Sequence, residues 1–323
     1  MSTRRTITEE TWVIILAGGE GKRLAPLTRA LYGVDLPKQF AALRGTTSML
    51  QATLDRAASV APLDRTVVVI GVGHAAIARD QLAAYPGVHL LIQPANLDTG
   101  PGLLLPLAWI RARAPEARVV VMPADHDVPR PAPLLAAIAR AAAHRATRTM
   151  VSLIGVVPDH PETEYGWIIP GSRLAGRTGD AVCAVHCFHE KPAPVHAAKL
   201  RARGALWNTF IMAGPVQSMW RLGRRKLPAQ AAHLERWARD EGEGHQRRLS
   251  ELYRRLAPGN WSSEVLATAG RRELAVVGMA GSGWSDWGSP RRVFQSLDGT
   301  RDHARLLARV ARADMVDAVH QAA

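Results

Sequence analysis

Four groups of residues in this chain have the types and spacing for chemistry on a phosphorylated ligand. The first is Leu16-Ala17-Gly18-Gly19-Glu20-Gly21-Lys22-Arg23-Leu24, followed by Pro37-Lys38-Gln39-Phe40. Gly18, Gly19 and Gly21 free the backbone to turn sharply and to approach a ligand closely. Exposed N–H groups in such a loop form an anion cradle. Arg23 and Lys38 add the positive charge that a triphosphate requires, while Lys22 is expected in solvent. The second group is Pro123-Ala124-Asp125-His126-Asp127, closing an apolar run. A carboxylate at that strand end could hold Mg2+ against phosphates, because Mg2+ takes few protein oxygens and keeps waters. Asp127, ahead of Val128-Pro129, reads as a turn residue. The third group is Gly283-Trp284-Ser285-Asp286-Trp287-Gly288, a rigid turn that could aim Asp286 as a second metal ligand opposite Asp125. In the fourth, Phe188-His189-Glu190-Lys191-Pro192, Glu190 could bind a sugar hydroxyl and Lys191 a phosphate.

These groups need a scaffold that ends strands beside one another. Apolar runs at Trp12–Leu16, Thr66–Ile70, Val88–Ile92 and Arg118–Met122 alternate with helical spacing at Ser48–Val60, His74–Ala84 and Gly102–Ala114. That alternation predicts a parallel sheet with crossover helices. An alanine-rich helix over Pro133–Arg148 leads to a strand at Thr149–Val157. Tyr165–Ile169 and Ala181–Glu190 then read as short strands around the glycine-rich segment Gly171–Asp180, a hairpin or inserted lobe. Leu206–Ala213 and Leu274–Met279 read as further strands. Pro215–Leu256 is helical in character, with breaks expected near Gly223 and around Glu241–Gly244. Arg301–Ala322 is an amphipathic helix, a candidate contact for a homodimer.

The glycine loop is not a Walker A loop, since no Gly-Lys-Ser/Thr closes it, and it lacks the continuation of a dinucleotide fingerprint. Cys183 and Cys187 would lie roughly 13 Å apart on one strand face, with His186 on the other, so they do not frame one zinc. The net charge is +13 over 323 residues, but acidic residues interleave with the densest basic stretch, Arg221–Arg255. The pattern reads as a solvated arginine-rich surface, without nucleic acid as partner. Only five of the 41 basic residues are lysine, and Lys38 and Lys191 fall inside the motifs, which points to positional need. No apolar window reaches membrane-spanning length, the polar N-terminus has no signal-peptide core, and two cysteines suit a reducing cytoplasm.

Taken in order, Leu16–Leu24, Pro37-Lys38, Pro123-Ala124-Asp125, Glu190-Lys191-Pro192, Trp207-Asn208 and Trp284-Ser285-Asp286 resemble the sugar-phosphate nucleotidyltransferases, from about residue 12 to about 295. Gln39-Phe40, His126 and Glu162-Thr163-Glu164-Tyr165-Gly166-Trp167-Ile168 are most similar to the mannose-1-phosphate guanylyltransferases among them. The resemblance implies an α/β, Rossmann-like nucleotidyltransferase fold with a mixed, mostly parallel sheet flanked by helices and a small β insertion. It implies a nucleotidyltransferase domain over 1–295 and a helical tail over 296–323. A sugar 1-phosphate oxygen would attack the α-phosphorus of a nucleoside triphosphate and release pyrophosphate, most simply mannose 1-phosphate on GTP. Glucose 1-phosphate with ATP, UTP or dTTP, and a non-catalytic sugar-nucleotide sensor, are the alternatives. By motif, Leu16, Ala17, Gly18, Gly19, Gly21 and Gln93 would bind nucleotide, with Arg23, Lys38 and Asp125 catalytic. Gly166, Glu190, Lys191 and Asn208 would bind the sugar phosphate, and Asp125 and Asp286 would hold Mg2+. The chain departs from the pattern at Lys22, Ala25 and Glu164. It departs again at Thr209, which follows Asn208 where Ser-Gly or Ala-Gly is common.

Overall fold

The computed structural model describes residues 10–175, 182–240, 242–270 and 272–322, with side chains of the last helix described through Arg312. The first strand, β1 (Thr11–Leu16), shows why the apolar runs are continuous rather than alternating. Val13 and Ile15 enter one buried cluster and Ile14 the other, so both faces of the strand are covered. After it come α1 (Ala25–Tyr32), α2 (Met49–Ala58), β2 (Thr66–Gly71), α3 (Ala75–Leu82) and β3 (His89–Gln93). Then follow α4 (Thr99–Arg113), β4 (Arg118–Pro123), α5 (Pro131–Ala143) and β5 (Val151–Val156). The second half runs β6 (Gly166–Arg173), β7 (Val182–Glu190), α6 (Pro194–Ala202), β8 (Leu206–Pro215), α7 (Val216–Lys226), α8 (Pro228–Arg239) and α9 (His245–Tyr253). A π-helical turn (Trp261–Leu266), β9 (Leu274–Met279), α10 (Pro290–Leu297) and α11 (Arg301–Ala322) complete the described chain.

The nine strands form one sheet in the order β3-β2-β1-β4-β8-β5-β9-β7-β6. The expected parallel half is present: β3, β2, β1 and β4 all run the same way. The sheet as a whole is mixed, with β8 and β7 running against the other seven strands. β8 runs antiparallel to both β4 and β5, β6 to β7 and β8, and β7 to β9, leaving β5 and β9 as the other parallel pair. Nor do β6 and β7 form a lobe hung outside the sheet. Trp207 of β8 pairs with both Val156 of β5 and Trp167 of β6, so the second half curls back on itself. The alternating short strands read as an insertion because pairings this distant in sequence leave no local trace. Residues 176–181 of the expected connection lie outside the described residues.

Helices cover both faces. On one, α4, α7, α8, α9 and the π-helical turn bury Leu104, Trp220, Trp237, Tyr253 and Trp261. On the other, α2, α5 and α6 bury Leu50, Leu54, Ile138 and Leu200. α4 is buried from Gly100 to Ile110, so it has no polar face and reads as apolar all round. The expected break at Gly223 does not occur; α7 runs through it and ends at Lys226, with Pro228 opening α8. Gly223 serves packing instead, since a Cβ there would lie 2.7 Å from atoms of both Leu104 and Trp261. A third apolar cluster joins Leu24, Leu27, Leu43, Trp287, Val293, Leu297 and Leu306, which seats α10 and α11 against the segments flanking the glycine loop.

Candidate active site

The glycine loop leaves the carboxyl end of β1, and Asp125 leaves the carboxyl end of neighbouring β4, in register with it through Leu16 and Pro123. Because β8 is antiparallel to β4, its early residues reach the same edge. This is where open α/β sheets bind ligands. A cleft of about 380 Å³ lies there, lined by Leu16, Ala17, Gly18, Gly19, Arg23, Lys38, Gln93, Asp125 and Asp286 among others. A smaller cavity of about 290 Å³ adjoins it through Arg23, Lys38 and Asp125 and takes in Gly21 and Lys22. A surface groove of about 890 Å³ between α7 and α8 is larger but holds none of the motif residues.

The loop is held from below. Gln39 Nε2 donates to the carbonyls of Ala17 (2.9 Å) and Gly19 (2.6 Å), and the amides of Gly18 and Gly19 have no acceptor among the described residues. Gly21 has φ 64°, and a Cβ there would lie 2.9 Å from the amide nitrogen of Lys38, so the two parts of the signature touch at that point. Gln93 wedges its amide against Gly18, and its Oε1 accepts from Tyr253 Oη at 3.4 Å. Lys22 is 83% exposed and paired with Glu20, in solvent as expected.

Lys38 is buried. Its Nζ donates to the carbonyls of Asp286 and Trp287 and lies 3.1 Å from Asp125 Oδ2. Burial works against a charge on Asp125, but Lys38 outweighs it and holds the carboxyl below its ordinary value. Burial also opposes charge on Asp286; Lys38, Tyr165 and Arg292 overcome it and hold that carboxyl low too. Asp286 Oδ1 accepts from Tyr165 Oη (2.7 Å), the Gly288 amide (2.9 Å) and Arg292 Nη1 (3.0 Å). Arg292 reaches Glu162 as well, at 2.5 Å, and lies 4.8 Å over the Tyr165 ring. Arg23 is not free: Glu164 Oε2 accepts from its Nη1 at 2.8 Å, in a pair that is largely exposed. Burial lowers the His126 pKa to about 4, and its Nδ1 accepts from Trp284 Nε1 at 3.2 Å, which fixes a neutral ring.

Of the residues expected on the sugar side, three converge. Gly166 pairs with Glu190 across β6 and β7, and a Cβ on Gly166 would lie 2.8 Å from Glu190 Oε2 and 3.3 Å from Asn208 Cβ. Glu190 Oε2 is buried without a hydrogen-bond partner, and burial holds the carboxyl above its ordinary value. Lys191 is exposed and contributes charge beside Glu190 rather than lining the cleft. Asp127 is a structural anchor: its carboxylate accepts two hydrogen bonds from Arg44 (2.9 and 2.7 Å), and its backbone bridges to Ser285. Gln39, Tyr165, Arg292, Arg44 and Tyr253 were not assigned roles from sequence. Only the motif placing Gln39 after Lys38 and Tyr165 before Gly166 offered a signal.

Four non-glycine residues among those described have positive φ: Asp98 (67°), Lys191 (45°), Phe210 (59°) and Trp287 (45°). Asp98 and Phe210 line the cleft, Lys191 follows Glu190, and the Trp287 carbonyl accepts from Lys38. Such conformations cost about 1–3 kcal/mol each and cluster at functional sites.

Residues 12–301 match the nucleotidyl transferase family. The chain belongs to that family. It is 33% identical over 201 residues to the mannose-1-phosphate guanylyltransferase of Escherichia coli strain K12, covering 61% of this chain and 41% of that protein. The xanthan biosynthesis protein XanB of Xanthomonas campestris pv. campestris strain B100 is 32% identical over 85% of this chain and 57% of its own length. This nucleotidyl transferase family chain thus spans about half the length of those curated relatives. A crystal structure from Thermus thermophilus, described as a mannose-1-phosphate geranyltransferase, has 32% identity and a TM-score of 0.75, covering 90% of this chain and 79% of that one. No helix among the described residues is long and apolar enough to cross a membrane.

Proposed function

We propose that this chain transfers a nucleotidyl group from a nucleoside triphosphate to a sugar 1-phosphate, with GTP and mannose 1-phosphate as the pair. The observation that carries the reading is the buried Lys38 seated between Asp125 and the Asp286–Trp287 backbone at the mouth of the glycine loop. The name of the Escherichia coli relative, a mannose-1-phosphate guanylyltransferase, supports both halves of the pair, and the Thermus thermophilus structure's description supports mannose 1-phosphate. Free Cys183 and Cys187 thiols agree with a cytoplasmic setting.

The donor set fits Mg2+. Asp125 Oδ1 lies 3.8 Å from His126 Nε2, beyond hydrogen-bond range. Asp286 lines the same cleft with its Oδ1 already accepting from Tyr165, Gly288 and Arg292, which leaves Oδ2 as its less engaged oxygen. Both are held ionised, and Mg2+ is satisfied by one or two carboxylates plus phosphates and water. Bound there, it would neutralise phosphate charge as the α-phosphorus is attacked. The chain's own residues do the rest. The loop amides of Gly18 and Gly19 cradle phosphate oxygens, and Arg23 leaves Glu164 to neutralise the departing pyrophosphate. Lys38, fixed by two carbonyls, presents charge at the α-phosphate without having to reorganise. Gln93, oriented by Tyr253, meets the base. Glu190, which has a buried unpartnered oxygen, and Asn208 flank Gly166 and supply the polar groups for the sugar hydroxyls. Little covalent work falls to the protein; positioning and charge dominate.

A thermal-shift panel of GTP, ATP, UTP and dTTP with Mg2+ tests the base assignment. Stabilisation by GTP above the others is expected; selective stabilisation by UTP or dTTP would reassign the base.

A further inference from the structure

Phe210 is an aromatic residue in a glycine's conformation. Its φ of 59° lies in the left-handed region that bulky side chains avoid. The strand around it is built to hold that geometry. The pairing of β8 with β5 shifts register between Leu153 and Gly155, next to this segment. Thr209 Oγ1 donates to the Ile154 carbonyl (2.7 Å) and accepts from the Ile211 amide (3.1 Å). Asn208 Oδ1 accepts from the Phe210 amide at 3.2 Å, which leaves the Asn208 Nδ2 group as the donor for a ligand. Phe210 is among the residues lining the main cleft, as are Asp98, Thr99, Asp125 and His126, and it is partly buried against the core. A strained backbone braced by three side-chain hydrogen bonds, with an apolar ring in an otherwise polar part of the cleft, calls for a ligand contact.

The sheet order says which part of the ligand. β3, which carries Gln93, and β8 are four strands apart, roughly 19 Å at the spacing of neighbouring strands. Asp125 leaves β4, directly beside β8 and between the two. Phe210 therefore lies on the β8 side of Asp125, away from the β3 strand that carries Gln93, and is two residues beyond Asn208, whose Cβ lies close to Gly166. Resting on the nucleotidyl-transfer reading, we propose that Phe210 is a specificity-determining wall of the sugar subsite. Its ring takes the C–H face of a pyranose, and it occupies the volume that a substituent larger than hydroxyl would need. The substrate class is an unbranched hexose 1-phosphate carrying hydroxyls only, in preference to an N-acylated hexosamine 1-phosphate.

Phe210→Gly accepts the positive φ, and Phe210→Tyr keeps the ring. Calorimetry on the full chain would measure mannose 1-phosphate, N-acetylglucosamine 1-phosphate and GTP binding to each, alongside turnover. In Phe210→Gly, mannose 1-phosphate affinity is expected to fall about tenfold, with relative N-acetylglucosamine 1-phosphate binding rising by a similar factor. GTP affinity should be unchanged, and Phe210→Tyr should resemble the wild type. Unchanged sugar affinity and selectivity in Phe210→Gly would overturn the assignment, as would a loss confined to GTP. If the wild type binds neither sugar phosphate, both this inference and the transfer reading fall. If it binds mannose 1-phosphate but forms no nucleotide sugar, the transfer reading alone falls and the affinities still decide the role of Phe210.

Discussion

Two carboxylates, Asp125 in the cleft and Glu190 buried on the sugar side, are set up in opposite ways. Asp125 is held ionised by Lys38 against the pull of burial, while burial keeps Glu190 reluctant to ionise and one of its oxygens has no partner. Asp125→Asn keeps the shape and removes the charge, so turnover should drop by about 10³-fold or more, and the melting temperature at neutral pH should fall because buried Lys38 loses its carboxylate partner. Wild-type rates in that variant would place the metal elsewhere. Glu190→Gln should do something different. Because the folded-state pKa of Glu190 is raised, its ionisation weakens folding as pH climbs past the ordinary carboxylate value. The glutamine variant is therefore expected to melt higher than wild type at pH 7, with the gap closing below about pH 4, where the unfolded carboxylate is protonated too. Its affinity for sugar 1-phosphate should fall. A variant less stable than wild type at neutral pH would refute that account of the buried oxygen.

At the scale of elements, what matters is how the glycine loop meets the Pro37-Lys38 segment. Gly21→Ala would strain a positive φ and drive a methyl into the Lys38 amide and Pro37, contacts of 2.9 and 3.1 Å. The expected result is a KM for the triphosphate raised about tenfold or more, with the sugar phosphate KM little changed. Equal effects on both would mean the loop does not act on the triphosphate alone. The parallel strands, their crossover helices and the loop were legible because periodicity and glycine spacing are local signals. The antiparallel return through β8 and the closure of β6 onto it were not. They depend on pairings such as Trp167 with Trp207, which no nearby residue announces. The helix through Gly223 was misread because a packing glycine and a helix-breaking one look alike until Leu104 and Trp261 are seen against it.

Over the whole molecule, the site is tied to the far end of the chain. Arg44 holds Asp127, lies 3.7 Å from Asp302 of α11 and sits over the Trp287 ring, linking the segment after Lys38, the turn after Asp125 and the tail helix. The Asp127 side chain is only 7% exposed, so Arg44→Ala would strand a buried charge. A loss of about 3 kcal/mol in chemical denaturation is expected, with weakened triphosphate binding. A loss below about 1 kcal/mol would show the pair to be ordinary surface charge. The motif residues were legible from sequence because their types are chemically distinctive. Arg44 and Arg292 were not, in a chain rich in arginine, because their partners lie far along it; Glu162 is 130 residues from Arg292.

The most direct measurement is pyrophosphate release from the full chain over a matrix of nucleoside triphosphates and sugar 1-phosphates, with and without Mg2+. Release is expected with GTP and mannose 1-phosphate together, absent when either is omitted, and lost without the metal. No release from any pair, or release that needs no sugar phosphate, would contradict nucleotidyl transfer as the work of this cleft.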